Sequence, residues 1–143
     1  MKKILEIYLN LLDIILNEFS SIVEYGEIIY TQSQEPLKLR IYFYDESFLD
    51  IFYSKSGKYS YHWERRFIDN SIYRHDNAPH RNWEKIKTFP KHFHNGLEED
   101  VIESYISDDP EEAIRDFLNF IRGKILKKND LGIDYGNISE KKD

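Results

Sequence analysis

The stretch that predicts the fold most clearly is Leu37-Lys38-Leu39-Arg40-Ile41-Tyr42-Phe43-Tyr44. Apolar side chains at its odd positions alternate with more polar ones, a pattern typical of a β-strand that has one face in a hydrophobic core. Other candidate strands surround it at residues 26–32, 48–54, 58–67 and 71–75, with a shorter candidate in residues 97–106. Because the links between them are short, we expect an antiparallel meander of about five or six strands.

Two helices are predicted to flank this sheet. Residues 3–24 carry two apolar stripes at helical spacing, so we expect a long N-terminal helix that is buried on both sides. The sheet would cover one side, and either the curled sheet, a second subunit or a partner protein would cover the other. A second helix is indicated by Asp109, Pro110 and Glu112, which match an N-cap, a first helical position and a capping box. This helix should end near Lys127.

The predicted fold class is therefore α+β, with the N-terminal and C-terminal helices packed on the sheet. Residues 1–127 form a single domain in this interpretation, and the polar residues 128–143 form a disordered tail. The chain of 143 residues contains no cysteine, which excludes disulfides, cysteine-based zinc sites and thiol nucleophiles. Acidic residues interrupt the N-terminal apolar run, so we expect neither a signal peptide nor a membrane span, and a cytoplasmic location.

Charge is distributed unevenly along the chain. Residues 58–94 contain eight Lys or Arg against four acids, a balance of 8 − 4 = +4, and they contain all five histidines. Residues 97–116 contain nine acids and one arginine, a balance of 1 − 9 = −8. The basic segment is suited to an anion such as phosphate. The alternative interpretation is that the two segments neutralise each other on the folded surface.

Polar side chains recur on one face of two neighbouring predicted strands. Side chains alternate between the faces of a strand. The first strand would therefore present Ser60, His62, Glu64 and Arg66 on one face, and Tyr59, Tyr61, Trp63 and Arg65 on the other. On the next strand, one face would carry Ile72, Arg74 and Asp76, and the opposite face Tyr73 and His75. Such a face can form a reaction site, or it can consist of solvated cross-strand ion pairs.

The loop that follows, residues 77–95, adds further histidines. If residues 91–94 are extended, His92 and His94 point the same way. Together with His80 or Asp76, these two imidazoles would be suited to a divalent metal ion. Hydrogen-bonded structural histidines are the competing explanation for the same pattern.

These residue types also suit metal-independent cleavage of RNA, which requires a base, an acid and cations but no cofactor. In this hypothesis His62, His80, His92 and His94 take the acid–base roles, Asp76 orients a histidine, and Arg74 and Lys91 bind phosphate. Aromatic side chains that offer surfaces for base stacking are Trp63, Tyr73 and Trp83.

Three motifs resemble the TumE-like toxin family of prokaryotic toxin–antitoxin systems. They are Tyr59-Ser60-Tyr61-His62-Trp63, then Ile72-Tyr73-Arg74-His75-Asp76-Asn77-Ala78-Pro79-His80, and finally Thr88-Phe89-Pro90-Lys91-His92-Phe93-His94. The resemblance covers roughly residues 37–122. Arg81 and Lys91 depart from it, since the family often has histidine at these positions. The resemblance implies a growth-inhibiting toxin that is neutralised by a cognate antitoxin.

Three functions remain open on this basis. The first is a cytoplasmic toxin that acts on RNA or another phosphate-bearing target, with the residues named above as its site. The second is a non-enzymatic binding or dimerisation module, which would use the N-terminal helix to form a homodimer or to dock a partner. The third is a metal-dependent hydrolase that uses His80, His92 and His94.

Overall fold

The computed structural model describes residues 3–130, with side chains up to residue 127. The helices are α1 (Ile4–Glu18), α2 (Arg66–Asp69) and α3 (Pro110–Asp130). The strands are β1 (Val23–Tyr30), β2 (Pro36–Phe43), β3 (Phe48–Tyr53), β4 (Tyr59–Arg65), β5 (Ser71–Asp76), β6 (His92–Gly96) and β7 (Val101–Glu103). They form one sheet in the order β1-β2-β3-β4-β5-β6-β7, and every neighbouring pair is antiparallel. The expected α+β meander is thus confirmed, with seven strands instead of five or six.

The two long helices and one face of the sheet enclose the hydrophobic core. Strand residues in this core include Leu39, Ile41, Phe43, Leu49, Ile51, Tyr61 and Trp63. From α1 the core receives Tyr8, Leu11 and Ile15, and from α3 it receives Ile114, Phe117, Leu118 and Ile121. The alternation of β2 therefore places its apolar side chains as the sequence predicts. The opposite face of the sheet is free to carry charged side chains and histidines.

The N-terminal helix is shorter than predicted, and residues 19–24 do not belong to it. Its last turn closes with a hydrogen bond of 2.9 Å from the Phe19 N–H to the Ile15 carbonyl. Ile22 and Val23 remain buried although they lie in a turn and in β1, because the chain folds back across the same core. Ile22 and Val23 have the spacing that a continued helix would give them, and for this reason the predicted helix extended to residue 24.

The sheet does not cover the second side of α1 within residues 3–127, so cover from a second subunit or a partner protein stays a prediction. The stripe that contains Tyr8, Leu11 and Ile15 is fully buried. The other stripe is exposed at Leu5, Leu9 and Leu16, which retain 37%, 50% and 44% of their accessible surface. This side of α1 is an apolar surface without a covering element from residues 3–127.

The predicted strand 58–67 ends at Arg65. The next four residues form the single helical turn α2, and Asn70 adopts the left-handed conformation with φ 65°. Positive φ at this asparagine agrees with the turn that its sequence indicates. However, the helical turn removes Arg66 from the strand, where it was expected to share a face with His62.

The start of α3 is as the sequence predicts. An Asp109 Oδ2 atom accepts a hydrogen bond of 3.0 Å from the Glu112 N–H, as an N-cap does. The helix extends to Asp130, three residues past the predicted end. The predicted disordered tail lies, from residue 131 onward, outside the described residues. Between residues 3 and 130, no helix is long and apolar enough to cross a membrane.

Candidate functional site

The register of β4, β5 and β6 brings five of the expected site residues together. His62 lies opposite Arg74, and Arg74 lies opposite His94 on the next strand. Asp76 lies opposite His92. Directly opposed side chains on one face of antiparallel strands lie within contact distance. His62, Arg74, Asp76, His92 and His94 therefore form one cluster, which we call the polar-face cluster.

Asp76 is the centre of the polar-face cluster. Its Oδ1 atom lies 3.1 Å from His92 Nε2 and accepts a hydrogen bond of 3.0 Å from the Ala78 N–H. Its Oδ2 atom lies 3.2 Å from Arg74 Nε and 4.0 Å from His94 Nε2. Asp76 is only 9% exposed. A buried carboxylate requires such partners, because its desolvation is otherwise very unfavourable.

Arg74 joins the members of the cluster to each other. Its Nη1 atom lies 3.1 Å from His62 Nδ1, and its Nη2 atom lies 3.2 Å from His94 Nε2. The same Nη2 donates to Glu98 Oε1 at 2.6 Å. A rigid guanidinium with several donors can hold these groups in one arrangement. Glu98 was not predicted, because it lies in an acidic stretch without a distinctive pattern.

Main-chain carbonyls orient both histidines of β6. His92 Nδ1 lies 3.0 Å from the Pro90 carbonyl, and His94 Nδ1 lies 2.7 Å from the Glu98 carbonyl. A carbonyl only accepts hydrogen bonds, so each Nδ1 atom carries a proton. Burial lowers the pKa of His94, and the Glu98 carbonyl opposes this shift only in part. The Nε2 atoms of both rings consequently face Asp76, and the His94 ring is neutral.

His62 is the histidine of the cluster that lies nearest to solvent. Its side chain is 17% exposed, compared with 3% for His92 and 5% for His94. Its Nε2 atom lies 2.9 Å from Glu64 Oε1. Burial raises the pKa of Glu64, but hydrogen bonds from His62 and from the backbone outweigh burial and hold this pKa below its usual range. His62 is therefore the ring that a ligand outside the sheet reaches first.

His80, also expected at the site, lies outside these contacts. It is exposed and begins a short 3₁₀ turn, where its Nδ1 atom accepts a hydrogen bond from the Asn82 N–H. Its ring centroid is 5.9 Å from that of Trp83. The Trp83 ring in turn lies 6.3 Å from His92 and 6.1 Å from His94. The half-buried Trp83 thus stands between His80 and the cluster.

Lys91 lies on the other side of β6 from His92. Its Nζ atom donates to the Ile106 carbonyl and lies 3.3 Å from Asp108 Oδ1. His75, too, belongs to the core side, where its ring stacks on Phe93 with centroids 4.1 Å apart. Burial, with smaller effects from nearby cationic groups, lowers the pKa of His75 to about 3, so this ring is neutral near pH 7. His75 acts as a packing residue.

Of the three aromatics expected to stack on bases, two belong to the core. Trp63 is fully buried, and Tyr73 packs against it with ring centroids 5.4 Å apart. Trp83 alone among the three lies next to the polar-face cluster. A nucleobase at this site could therefore stack on Trp83, but not on the other two.

A second group of charges continues the polar face towards β2. Asp50, opposite His62 in the sheet, accepts hydrogen bonds from Arg40 at 2.7 and 2.9 Å and from Lys38 at 2.8 Å. Burial raises the pKa of Asp50, but these hydrogen bonds outweigh burial and hold the pKa below its ordinary value. Both cations share Asp50 as their partner, so this group is an ion-pair network of two cations and one carboxylate.

A cavity lies away from the polar-face cluster. It has a volume of about 710 Å³ and is lined by the start of α1 and by the β3–β4 turn, including Ile4, Tyr53 and Lys55. Among residues 3–127, no histidine lines it, and Glu35 is its one carboxylate. Its lining offers little acid–base chemistry, so we place the candidate site at the polar-face cluster, where titratable side chains converge.

The fold and the cluster together define a class: an α+β protein that carries a histidine–arginine–carboxylate network on the open face of an antiparallel sheet. A family model described as Toxin TumE matches residues 11–125. The chain therefore belongs to the TumE toxin family, and the resemblance of the three motifs is confirmed. Membership of this family implies an antitoxin partner. Neither the curated proteins nor the solved structures contain a match to this chain.

Proposed function

We propose that this chain is a growth-inhibiting toxin that cleaves RNA at the polar-face cluster. The observation that carries the proposal is the network in which three histidines, an arginine and a carboxylate contact each other. These are the residue types that phosphodiester cleavage needs, and they lie on the face of the sheet opposite the hydrophobic core, where His62 and Arg74 are the most exposed members. Membership of a toxin family supports a growth-inhibiting role.

The reaction that suits these residues is transesterification within RNA. The 2′-oxygen attacks phosphorus, so a P–O2′ bond forms while the P–O5′ bond breaks. The products are a 2′,3′-cyclic phosphate and a 5′-hydroxyl. A base accepts the proton of the 2′-hydroxyl, an acid delivers a proton to the leaving O5′, and a cation stabilises the charge that develops on phosphate.

His62 and the His92–Asp76 pair are the two proton carriers in this proposal. His62 is the more exposed ring, and Asp76 orients His92 across 3.1 Å. Arg74, whose side chain is 20% exposed, is the group that binds phosphate, because its planar guanidinium can donate two parallel hydrogen bonds. The half-exposed Glu98 is the partner of Arg74 that a phosphate would displace.

The proposal is tested by induced expression and by incubation of the purified chain with RNA. We expect growth arrest, RNA fragments that end in 2′,3′-cyclic phosphate, and no cleavage of an oligonucleotide with 2′-deoxy sugars. His62→Ala and Arg74→Ala should each lower cleavage by about 100-fold or more. Arg115→Ala is the matched control, because Arg115 pairs with Glu18 between the two long helices. Growth arrest with intact RNA, or full cleavage by Arg74→Ala, would refute the proposal.

The exposed leucines of α1 favour a second role, the docking of a protein through this helix. Leu5, Leu9 and Leu16 follow one side of the helix and are exposed. We propose that this side forms a homodimer, which the double variant Leu9→Glu/Leu16→Glu should dissociate. Light scattering coupled to gel filtration measures the mass, and Leu97→Glu, at an exposed leucine outside the helix, is the control. A monomeric unmodified chain would exclude self-association through α1.

A further inference from the structure

Asp76, His92 and His94 have a feature that RNA cleavage by proton transfer alone does not require. One potential metal-ligand atom from each residue lies within 4.8 Å of the others. All three residues are buried, with exposures of 9%, 3% and 4%. The sheet imposes this arrangement, because His92 and His94 are two residues apart on β6 and Asp76 lies opposite His92 on β5.

The hydrogen bonds of the two rings prepare them for a metal ion. His92 Nδ1–H donates to the Pro90 carbonyl at 3.0 Å, and His94 Nδ1–H donates to the Glu98 carbonyl at 2.7 Å. When an imidazole with its proton on Nδ1 is neutral, its lone pair lies on Nε2. Both Nε2 atoms face the Asp76 carboxylate. Histidines that bind metals are usually oriented in this way, by a carbonyl or carboxylate on the other ring nitrogen.

We propose that Asp76, His92 and His94 bind one divalent transition-metal ion through a carboxylate oxygen and two Nε2 atoms. Bonds of about 2.1 Å in a tetrahedral site separate ligand atoms by about 3.4 Å. Asp76 Oδ1 lies 3.1 Å from His92 Nε2, and Asp76 Oδ2 lies 4.0 Å from His94 Nε2. One ligand atom from each residue lies within 4.8 Å of the others, so modest side-chain movements bring the three atoms to these separations. Two imidazoles and one carboxylate suit Zn²⁺, Mn²⁺, Fe²⁺ or Co²⁺, and three protein ligands leave a coordination position open.

Arg74 must lose its contact with His94 when this ion binds. Its Nη2 atom lies 3.2 Å from His94 Nε2, the atom that would bind the metal. The same Nη2 atom already donates to Glu98 Oε1 at the shorter distance of 2.6 Å, so the guanidinium keeps a partner when it leaves His94. The arginine then remains beside the ion, where it can contact a phosphate oxygen.

The proposed ion would be the cofactor of the cluster to which we assign RNA cleavage. Its role in catalysis rests on that proposed function. A proton on His92 Nε2, in a salt bridge with Asp76, is the competing occupant of this space. With the ion bound, His92 is a ligand, and a water on the ion replaces it as the second proton carrier. Binding of the ion is measurable without any RNA, so the two proposals fail separately.

The test uses the full chain after treatment with EDTA and removal of the chelator. Isothermal titration with Zn²⁺ and with Mn²⁺ should give one ion per chain for at least one of the metals. His92→Ala and His94→Ala should each weaken binding at least about 10-fold. The matched control is His80→Ala, at an exposed histidine whose ring contacts Trp83 and not Asp76, and it should bind as the unmodified chain does.

A second measurement on the unmodified chain avoids any variant that fails to fold. Nitrogen-15 NMR of the five imidazoles should show Nε2 shifts on addition of Zn²⁺ at two rings, with Nδ1 still protonated in both. No binding at about 100 μM metal, or equal binding by the His92→Ala and His94→Ala chains, would overturn the metal site. RNA cleavage that persists after exhaustive chelation would overturn its catalytic role, whereas metal binding without RNA cleavage would refute only the proposed function.

Discussion

Arg74 allows a quantitative test of what holds the polar-face cluster together, because it pairs with one buried and one exposed carboxylate. Its Nη2 atom is 2.6 Å from Glu98, whose side chain is 50% exposed. Its Nε atom is 3.2 Å from Asp76, whose side chain is 12% exposed. Distance favours the pair with Glu98, and burial favours the pair with Asp76.

The magnitudes indicate that burial, and not distance, determines which of the two ion pairs is stronger. At an effective dielectric constant of about 20, charges 3.2 Å apart attract by about 5 kcal/mol, as for Arg74 and Asp76. At the value of water, about 80, charges 2.6 Å apart attract by only about 1.6 kcal/mol, as for Arg74 and Glu98. Desolvation and loss of side-chain freedom reduce both values. We expect coupling energies of about 2–3 kcal/mol with Asp76 and below about 1 kcal/mol with Glu98.

Two double-mutant cycles measure these couplings by urea unfolding at pH 7 with EDTA present, so that no metal contributes. They combine Arg74→Ala with Asp76→Asn and with Glu98→Gln. The pair of Arg66 with Glu64 is a matched control, because it has the same 3.2 Å separation but an arginine that is 54% exposed. Its coupling should also stay below about 1 kcal/mol. A Glu98 coupling equal to or larger than that of Asp76 would refute the reasoning.

Three further predictions concern the scaffold. Because its folded pKa is depressed, Asp50 contributes stability that is present above its unfolded pKa of about 3.9 and is lost as pH falls through the folded value. The difference in urea midpoint between the unmodified chain and Asp50→Asn should therefore shrink between pH 7 and pH 3. A difference that stays constant with pH would contradict this. Ser47→Ala leaves the buried Trp63 Nε1–H without its 2.9 Å partner and should cost about 1–3 kcal/mol at an unchanged m-value, whereas a loss below about 0.5 kcal/mol would argue against this bond. Asp109→Ala should cost about 1 kcal/mol because the Glu112 N–H loses its cap, and Asp109→Asn should retain most of the stability; equal losses would exclude capping as the cause.

Part of the site could be predicted from the sequence, because the face of a strand on which a side chain lies depends only on its position along that strand. His62 and Glu64 share a face of β4, and His92 and His94 share a face of β6, since both pairs are two residues apart. The same parity explains why Lys91 points away from His92. In an extended segment 91–94, Lys91 and His92 point to opposite faces. The prediction that Lys91 binds phosphate at the same site as His92 therefore conflicts with this extended conformation.

Other parts of the site could not be predicted from local sequence patterns. The segment His92–Gly96 contains two histidines, an asparagine and a glycine, so its composition indicates a loop, and yet it pairs with β5 along its whole length. Its register places His92 opposite Asp76 across a connection of fifteen residues, 77–91. The main-chain carbonyls that orient the two rings likewise have no sequence signature.

Local sequence patterns were sufficient to predict the α+β class, the alternation of the strands, the start of the last helix and the three motifs of the toxin family. These features depend on neighbouring residues, whose spacing decides which side chains share a face. Tertiary contacts set the end of α1, the strand β6, the separation of His80 from the cluster by Trp83, and the meeting of Asp76 with His92 and His94. These features depend on hydrogen bonds and packing between segments that are distant in the chain, and local spacing contains no information about those contacts.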